Sequence, residues 1–349
     1  MPSFFDLSLA QLTGLLQTWG EPRYRAGQIW RAAYRDLAVS PAQVTTIPKP
    51  LRDRLTAELP FGRLSVAAEA KSSDHQTRKL LFALPDGKQI EAVLMGYEKR
   101  RTACISTQAG CAMGCVFCAT GQMGFRRHLS TGEIVEQVLW FARELKTRAD
   151  RLTNVVVMGM GEPFHNYDAT LAAVDILNDP HGFNFGARRV TISTVGLAPM
   201  IERFAAEKRQ VNLAVSLHAA TDELRSELLP INKKYPLDVL FGAVRQYFET
   251  TRRRVTFEWA LIQGKNDTPA QARALAALAA GLPCHVNIIP LNPTRDYAGQ
   301  ATTRERAAAF KAELESHGLP CTIRLRRGID IDAGCGQLAV HAETASNSL

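Results

Sequence analysis

The sequence has little of what would place it in a membrane, a secretory route or a disulfide scaffold. Across its 349 residues no apolar run approaches the roughly 20 residues that a membrane span needs. The opening stretch, MPSFFDLSLAQLTGLLQ, lacks the basic segment, apolar core and small-residue cleavage site of a secretory signal, so the expected location is cytoplasmic. No repeat of fixed period is visible. Cysteine is absent from the first hundred residues. The seven further on, Cys104, Cys111, Cys115, Cys118, Cys284, Cys321 and Cys335, are odd in number and unevenly spaced, which suits metal or redox chemistry better than a disulfide framework. With 46% hydrophobic and 22% charged residues, the chain has room for one large buried core, with or without a small appendage.

Charge of one sign is in excess. The net charge of +8 suits a polyanionic partner, because Lys and Arg release the counterions condensed on phosphates. The clusters Lys99-Arg100-Arg101, Arg126-Arg127-His128, Arg188-Arg189, Lys233-Lys234, Arg252-Arg253-Arg254 and Arg324 to Arg327 are candidate contacts. The other reading of the same residues is a solvated surface.

Along the chain, Leu7, Leu9, Leu12, Leu15 and Leu16 mark one amphipathic helix. Ala26, Ile29, Trp30 and Tyr34 mark a second, whose other face carries Arg23, Arg25, Arg31 and Arg35. LLFAL and IEAVLM then flank Pro85-Asp86-Gly87-Lys88 as a β-hairpin. From about residue 100 the pattern changes. ACIST, NVVVMG, VTIST, NLAVSL, VTFEWALI and HVNIIPL read as strands, and residues 131 to 149, 167 to 178, 197 to 208, 236 to 251 and 268 to 281 as helices. Such alternation implies parallel strands joined by right-handed crossovers. Ser130 and Glu133 form a capping box for the first of these helices. In this class of fold the loops beyond the strands' C-terminal ends hold the active site.

One such loop is Cys111-Ala-Met-Gly-Cys115-Val-Phe-Cys118, which gathers three thiolates around two glycines. A cubane cluster needs four ligands, so three leave one iron open to a substrate or cofactor. A structural zinc site would draw on a second Cys or His pair, and none follows nearby.

The Cys-x3-Cys-x2-Cys spacing, with Phe117 before the last cysteine, resembles the radical S-adenosylmethionine (SAM) superfamily. The resemblance implies a 4Fe-4S cluster whose free iron holds SAM and cleaves it to methionine and a 5'-deoxyadenosyl radical. It also implies SAM contacts at Gly161 and Glu162 in GMGEP, at Ser193 after VTI, at Ser216-Leu217-His218 after NLAV, and at Asn292 after IIPL. Read without it, these residues are strand-ending turns and caps.

CISTQAGCAMGCVFCATGQMGFRRHLS and RRGIDIDAGCGQL narrow the resemblance to the RlmN/Cfr family of RNA methyltransferases, over nearly the whole chain. His128 and Gly334 depart from the usual wording, where Asn and Ala are common. The fold implied is α/β, a partial (β/α)6 radical SAM barrel over residues 97–330. A helical N-terminal domain (1–75), a linking β-hairpin (76–96) and a C-terminal segment with Cys335 and a mobile tail (331–349) complete it. The resemblance further implies that two SAM are consumed per methylation: Cys335 would take a methyl group from the first, the second would supply the radical that activates this methyl, and the carbon radical would attack adenine. By the same resemblance Cys104 would then attack the Cys335 sulfur, leaving a transient disulfide, and Glu91 would take the ring proton. On strand alternation alone Glu91 reads as an exposed hairpin residue. The implied partners are 23S rRNA, tRNA and a flavodoxin-like electron donor, with no membrane. RlmN-type methylation of adenine C2 is the first expectation and Cfr-type methylation of C8 the second. A non-catalytic iron-sulfur protein that binds RNA or senses redox state is the third.

Overall fold

A computed structural model describes residues 3–292, 294, 296–324 and 329–331. Three helices come first: α1 (Leu9–Thr18), α2 (Tyr24–Tyr34) and α3 (Lys49–Glu58). Ser8 and Gln11 start α1 as a capping box, Gln11 N–H donating to Ser8 Oγ and Ser8 N–H to Gln11 Oε1. Strands β1 (Ser65–Lys71), β2 (Thr77–Ala83), β3 (Gln89–Tyr97) and β4 (Arg100–Cys104) follow as an antiparallel run. The short β5 (Gln108–Gly110), the single-turn α4 (Ala119–Gln122) and β6 (Phe125–His128) frame the cysteine loop.

The alternating part runs α5 (Thr131–Thr147), β7 (Asn154–Val157), α6 (Tyr167–Asn178), β8 (Val190–Thr194), α7 (Ala198–Ala206), β9 (Asn212–Ser216), α8 (Asp222–Leu228) and α9 (Leu237–Thr251). It ends with β10 (Val255–Leu261), α10 (Pro269–Leu278), β11 (Cys284–Pro290), α11 (Arg304–Ser316) and β12 (Cys321–Ile323). The ten-stranded sheet has the order β1-β2-β3-β4-β7-β8-β9-β10-β11-β12, parallel from β4 onward. Its ends approach each other: Arg324, just after β12, donates to Met95 Sδ on β3 at 3.3 Å. The sheet therefore curls into a partial barrel with helices outside. Among the described residues no helix is long and apolar enough to cross a membrane.

The six strands expected from the pattern are present, and β12 is added at the edge. The Ser130–Glu133 capping box forms as expected, with Ser130 N–H donating to Glu133 Oε2 at 2.9 Å. Two differences concern the N-terminal third. Residues 65–71, expected in the helical unit, form β1. The expected hairpin is not a separate linker but part of the main sheet, since β3 pairs with β2 on one side and β4 on the other. The buried aromatics Phe4, Phe5, Trp30 and Tyr34 belong to the same continuous core as the barrel. Polar contacts reinforce the junction: Glu136 Oε2 on α5 accepts Arg63 N–H at 2.6 Å, and Asp6 Oδ1 accepts Gly132 N–H at 2.7 Å.

Candidate active site

The parallel strands end at a cavity of about 340 Å³. Glu91, Cys104, Cys111, Cys115, Cys118, Gly161, Glu162, Ser193, Ser216, His218 and Asn292 all line it. Residues spread over two hundred positions thus share one space, as strand ends in a barrel must. Leu217 does not line it. Side chains alternate along β9, so Ser216 faces the cavity and Leu217 packs into the hydrophobic core behind. Cys335 lies outside the described residues, and with it the Cys104–Cys335 disulfide.

The cysteine loop is pinched at its neck. Cys111 N–H donates to Gly124 O at 3.0 Å. Gly110 has φ +71°, and a Cβ there would lie 1.9 Å from Gly124 O, so only glycine lets the two ends meet. Burial pushes the Cys111 thiol up to about 12 and Cys115 well above its usual value; the Cys118 thiolate raises both further, and Cys111 adds to the rise at Cys115. Three thiols brought together in a desolvated pocket ionise only if a polyvalent cation joins them. Among the described residues no three His, Cys, Asp or Glu side chains converge closely enough to grip a single ion. A cluster takes one thiolate per iron and so holds its ligands apart. The donor set fits a 4Fe-4S cluster.

Next to the cysteines, the GMGEP turn brings Glu162 into the wall. Its Oε2 accepts Val195 N–H at 2.8 Å and its Oε1 accepts Phe164 N–H at 2.9 Å. Burial nevertheless pushes its carboxyl up to about 7. Gln108, which sequence reading passed over, sets this turn. Its Oε1 accepts Glu162 N–H at 2.9 Å, so the amide nitrogen is the donor, reaching His165 Nδ1 at 3.0 Å and His128 Nδ1 at 3.1 Å. Ser193 Oγ and Ser216 Oγ stand 3.3 Å apart. His218 sits in the left-handed region at φ 61°, which turns its ring back toward the cavity and edge-on to Phe117 at 4.9 Å.

Behind these groups lies Arg225, which is fully buried. Its guanidinium donates to Val195 O, Leu217 O and Asn232 Oδ1 at 2.6, 3.2 and 2.7 Å, tying the ends of β8 and β9 together. Nothing in its local sequence, DELRSEL, signals burial.

The far wall carries Glu91, Cys104 and Arg324. Glu91 is 4% exposed, which corrects the reading of an exposed hairpin residue. Strands on both sides of β3 turn that face inward. Lys79 on β2 is fully buried, with Nζ 3.2 Å from Glu91 Oε1. Burial pushes the Cys104 thiol up to about 11, against the pull of Arg324. Glu258 on β10 is likewise raised by burial, while Asn287 donates to its Oε2 at 2.8 Å.

The basic clusters are partly consumed within the fold. Arg127 bridges Asp86 and Glu133, Arg101 pairs with Asp150, and Arg35, just after α2, donates to Gly182 O and Pro180 O. These side chains serve as internal ties, so the charge runs overstate the surface open to a polyanion.

Three comparisons bear on this geometry. Residues 105–276 match the model of the radical SAM superfamily. A probable dual-specificity RNA methyltransferase RlmN from Chloroflexus aurantiacus is 51% identical over 346 residues, covering 96% of this chain and 92% of that protein. The dual-specificity RNA methyltransferase RlmN 1 of Myxococcus xanthus is 49% identical over 344 residues, covering 99% and 96%. A crystal structure of a radical SAM methyltransferase from Sphaerobacter thermophilus superposes with a TM-score of 0.95 at 51% identity, covering 97% of this chain and 99% of that one.

Proposed function

We infer the division of labour in this cavity from one premise: the chain belongs to the RlmN family of dual-specificity RNA methyltransferases within the radical SAM superfamily. It is an enzyme that methylates C2 of adenine in 23S rRNA and in tRNA, with a 4Fe-4S cluster and two SAM per methylation. The tRNA target is an adenine of the anticodon loop. When bound, cluster and SAM supply a hydrogen-abstracting radical, the chemistry suited to an electron-poor ring carbon that resists direct transfer of a methyl cation.

The chain's own residues do the rest. Cys111, Cys115 and Cys118 would hold the cluster. Gly161 and Glu162 take the SAM amino group, with Glu162 accepting its hydrogen bond. Ser193, Ser216, His218 and Asn292 position the remainder of SAM, and Leu217 acts only through its place in the core directly after β9. Cys335 carries the methyl group to be transferred, Glu91 accepts the adenine ring proton, and Cys104 attacks the Cys335 sulfur to release the product. The observation that supports this assignment is the single cavity shared by the three cluster cysteines, Cys104 and Glu91. The electron donor is a flavodoxin-like protein. Ribosomes and tRNA place the enzyme in the cytoplasm, where thiols stay reduced.

The test is anaerobic incubation of cluster-reconstituted enzyme with SAM, reductant and RNA. The reading expects 5'-deoxyadenosine and, by mass spectrometry of nucleosides, 2-methyladenosine. The Cys104→Ala variant is expected to stall as a covalent enzyme–RNA adduct. Detection of 8-methyladenosine would overturn the choice of carbon. An intact cluster yielding neither product would overturn the enzyme reading.

A further inference from the structure

Lys79 takes part in no step assigned so far, yet its side chain is completely buried. Burying an ammonium is costly unless it is paired and hydrogen-bonded. Its Nζ is 3.2 Å from Oε1 of Glu91, which is 4% exposed and lines the cavity. The Glu91 backbone is fixed on both sides: Ser106 Oγ donates to Glu91 O at 2.5 Å, and Glu91 N–H points to Met160 Sδ at 3.2 Å. The wall carboxylate is thus set rigidly on its strand with a cation at its side.

A carboxyl in such a wall faces a conflict. Burial favours the neutral acid, as it does at Glu162 in the same cavity, while a proton acceptor must stay ionised at working pH. An ammonium at hydrogen-bonding distance resolves the conflict, because opposite charge within about 4–6 Å favours the ionised form by about 1–3 pKa units. Among the described residues, the charged or titratable groups on this wall include Cys104 from β4 and Arg324 after β12, with Tyr97 from β3 and Glu258 from β10 acting on Arg324.

We propose that Lys79 is a positioning residue for the methylation reaction, keeping Glu91 ionised and oriented toward the cavity until it receives the adenine proton. This rests on the reading of Glu91 as the proton acceptor. The pair enters the reaction as ammonium and carboxylate with no net charge, and proton transfer leaves ammonium and carboxylic acid, the wall having gained the positive charge of the proton taken from the ring.

The test uses reconstituted holoenzyme with Lys79→Met, Lys79→Gln, Lys79→Arg and Glu91→Gln. Two quantities are read: the pH dependence of single-turnover methylation, and the infrared carboxylic-acid band of Glu91, with Glu91→Gln as the blank. Removing the cation makes Glu91 easier to protonate, so the acid limb of the rate profile moves to higher pH. The Met and Gln variants are expected to lose rate several-fold on the acid side of the profile and to recover it as the pH rises, with the infrared titration displaced equally. Lys79→Arg restores most of the wild-type profile. Lys79→Gln keeps a hydrogen-bond donor without charge, so a Gln profile matching wild type would assign Lys79 to packing and sink the proposal. An unmoved infrared titration in Lys79→Met would do the same. Full turnover by Glu91→Gln would instead remove the proton-acceptor reading itself, whatever the lysine variants show.

Discussion

His218 Nδ1 accepts the backbone N–H of Ala260 at 2.8 Å, and this one bond settles the tautomer. The ring is neutral and carries its proton on Nε2. Burial, aided by Arg225, lowers its pKa to about 3. Imidazole here is a fixed donor, not a base.

His218→Phe keeps a ring beside Phe117 but removes both the acceptor for Ala260 and the Nε2 donor. SAM binding is expected to weaken by about tenfold, the equivalent of one lost hydrogen bond. Isothermal titration at pH values from about 5 to 8 checks this. The wild-type affinity owes no pH dependence to His218 in that range, so a ratio between wild type and variant that changes tenfold across it would contradict the neutral assignment.

Glu162 gives the cluster-free protein a pH-dependent stability. Its folded pKa, about 7, lies above the ordinary 4.5. Between those values the folded state holds more protons than the unfolded one, so stability falls as pH rises through the window. The loss reaches at most about 3 kcal/mol. Glu162→Gln is expected to flatten this slope in denaturant unfolding from about pH 4.5 to 8. Glu136, raised by burial in the same way, contributes equally to both proteins and cancels. Parallel slopes would show that Glu162 ionises freely.

Arg225→Met strands three buried acceptors, Val195 O, Leu217 O and Asn232 Oδ1. The cost expected from urea unfolding is about 2–4 kcal/mol, with weaker SAM binding because β8 and β9 lose their common tie. A change under about 1 kcal/mol would mean that water replaces the guanidinium without loss.

Gly161→Ala meets two obstacles. The backbone sits at φ +99°, and the added Cβ would lie 2.5 Å from Gln108 Cβ and 2.8 Å from Gln108 N. SAM binding is expected to drop by at least about tenfold through displacement of the Glu162 turn. Adding Gln108→Ala brings no rescue, because alanine retains the clashing Cβ and backbone nitrogen. Rescue by that second change would place the strain elsewhere. Equilibrium dialysis with labelled SAM reads both variants.

Much of the barrel was legible in order of residues alone. Cys111, Cys115 and Cys118 lie within one loop, so their spacing already states that three sulfurs serve one centre. The strands from NVVVMG to HVNIIPL and the helices between them follow from backbone periodicity, and the Ser130–Glu133 cap from a three-residue reach. Polar residues at strand ends, Ser193, Ser216, His218 and Asn292, fall in the cavity because parallel strands all finish on one side.

What only the tertiary structure decided is which charges lie inside. Glu91 alternates like an exposed hairpin residue until β2 and β4 flank it. Lys79 and Arg225 carry no local signal of burial, and Gln108 sits in the cysteine motif with no role legible from it, while Arg127, in a run that reads as a polyanion contact, is spent on Asp86 and Glu133. The physical reason is range. Periodicity, capping and cluster spacing are set by neighbours a few residues away, whereas desolvation and ion pairing depend on segments far apart in the chain, and their meeting is determined by packing.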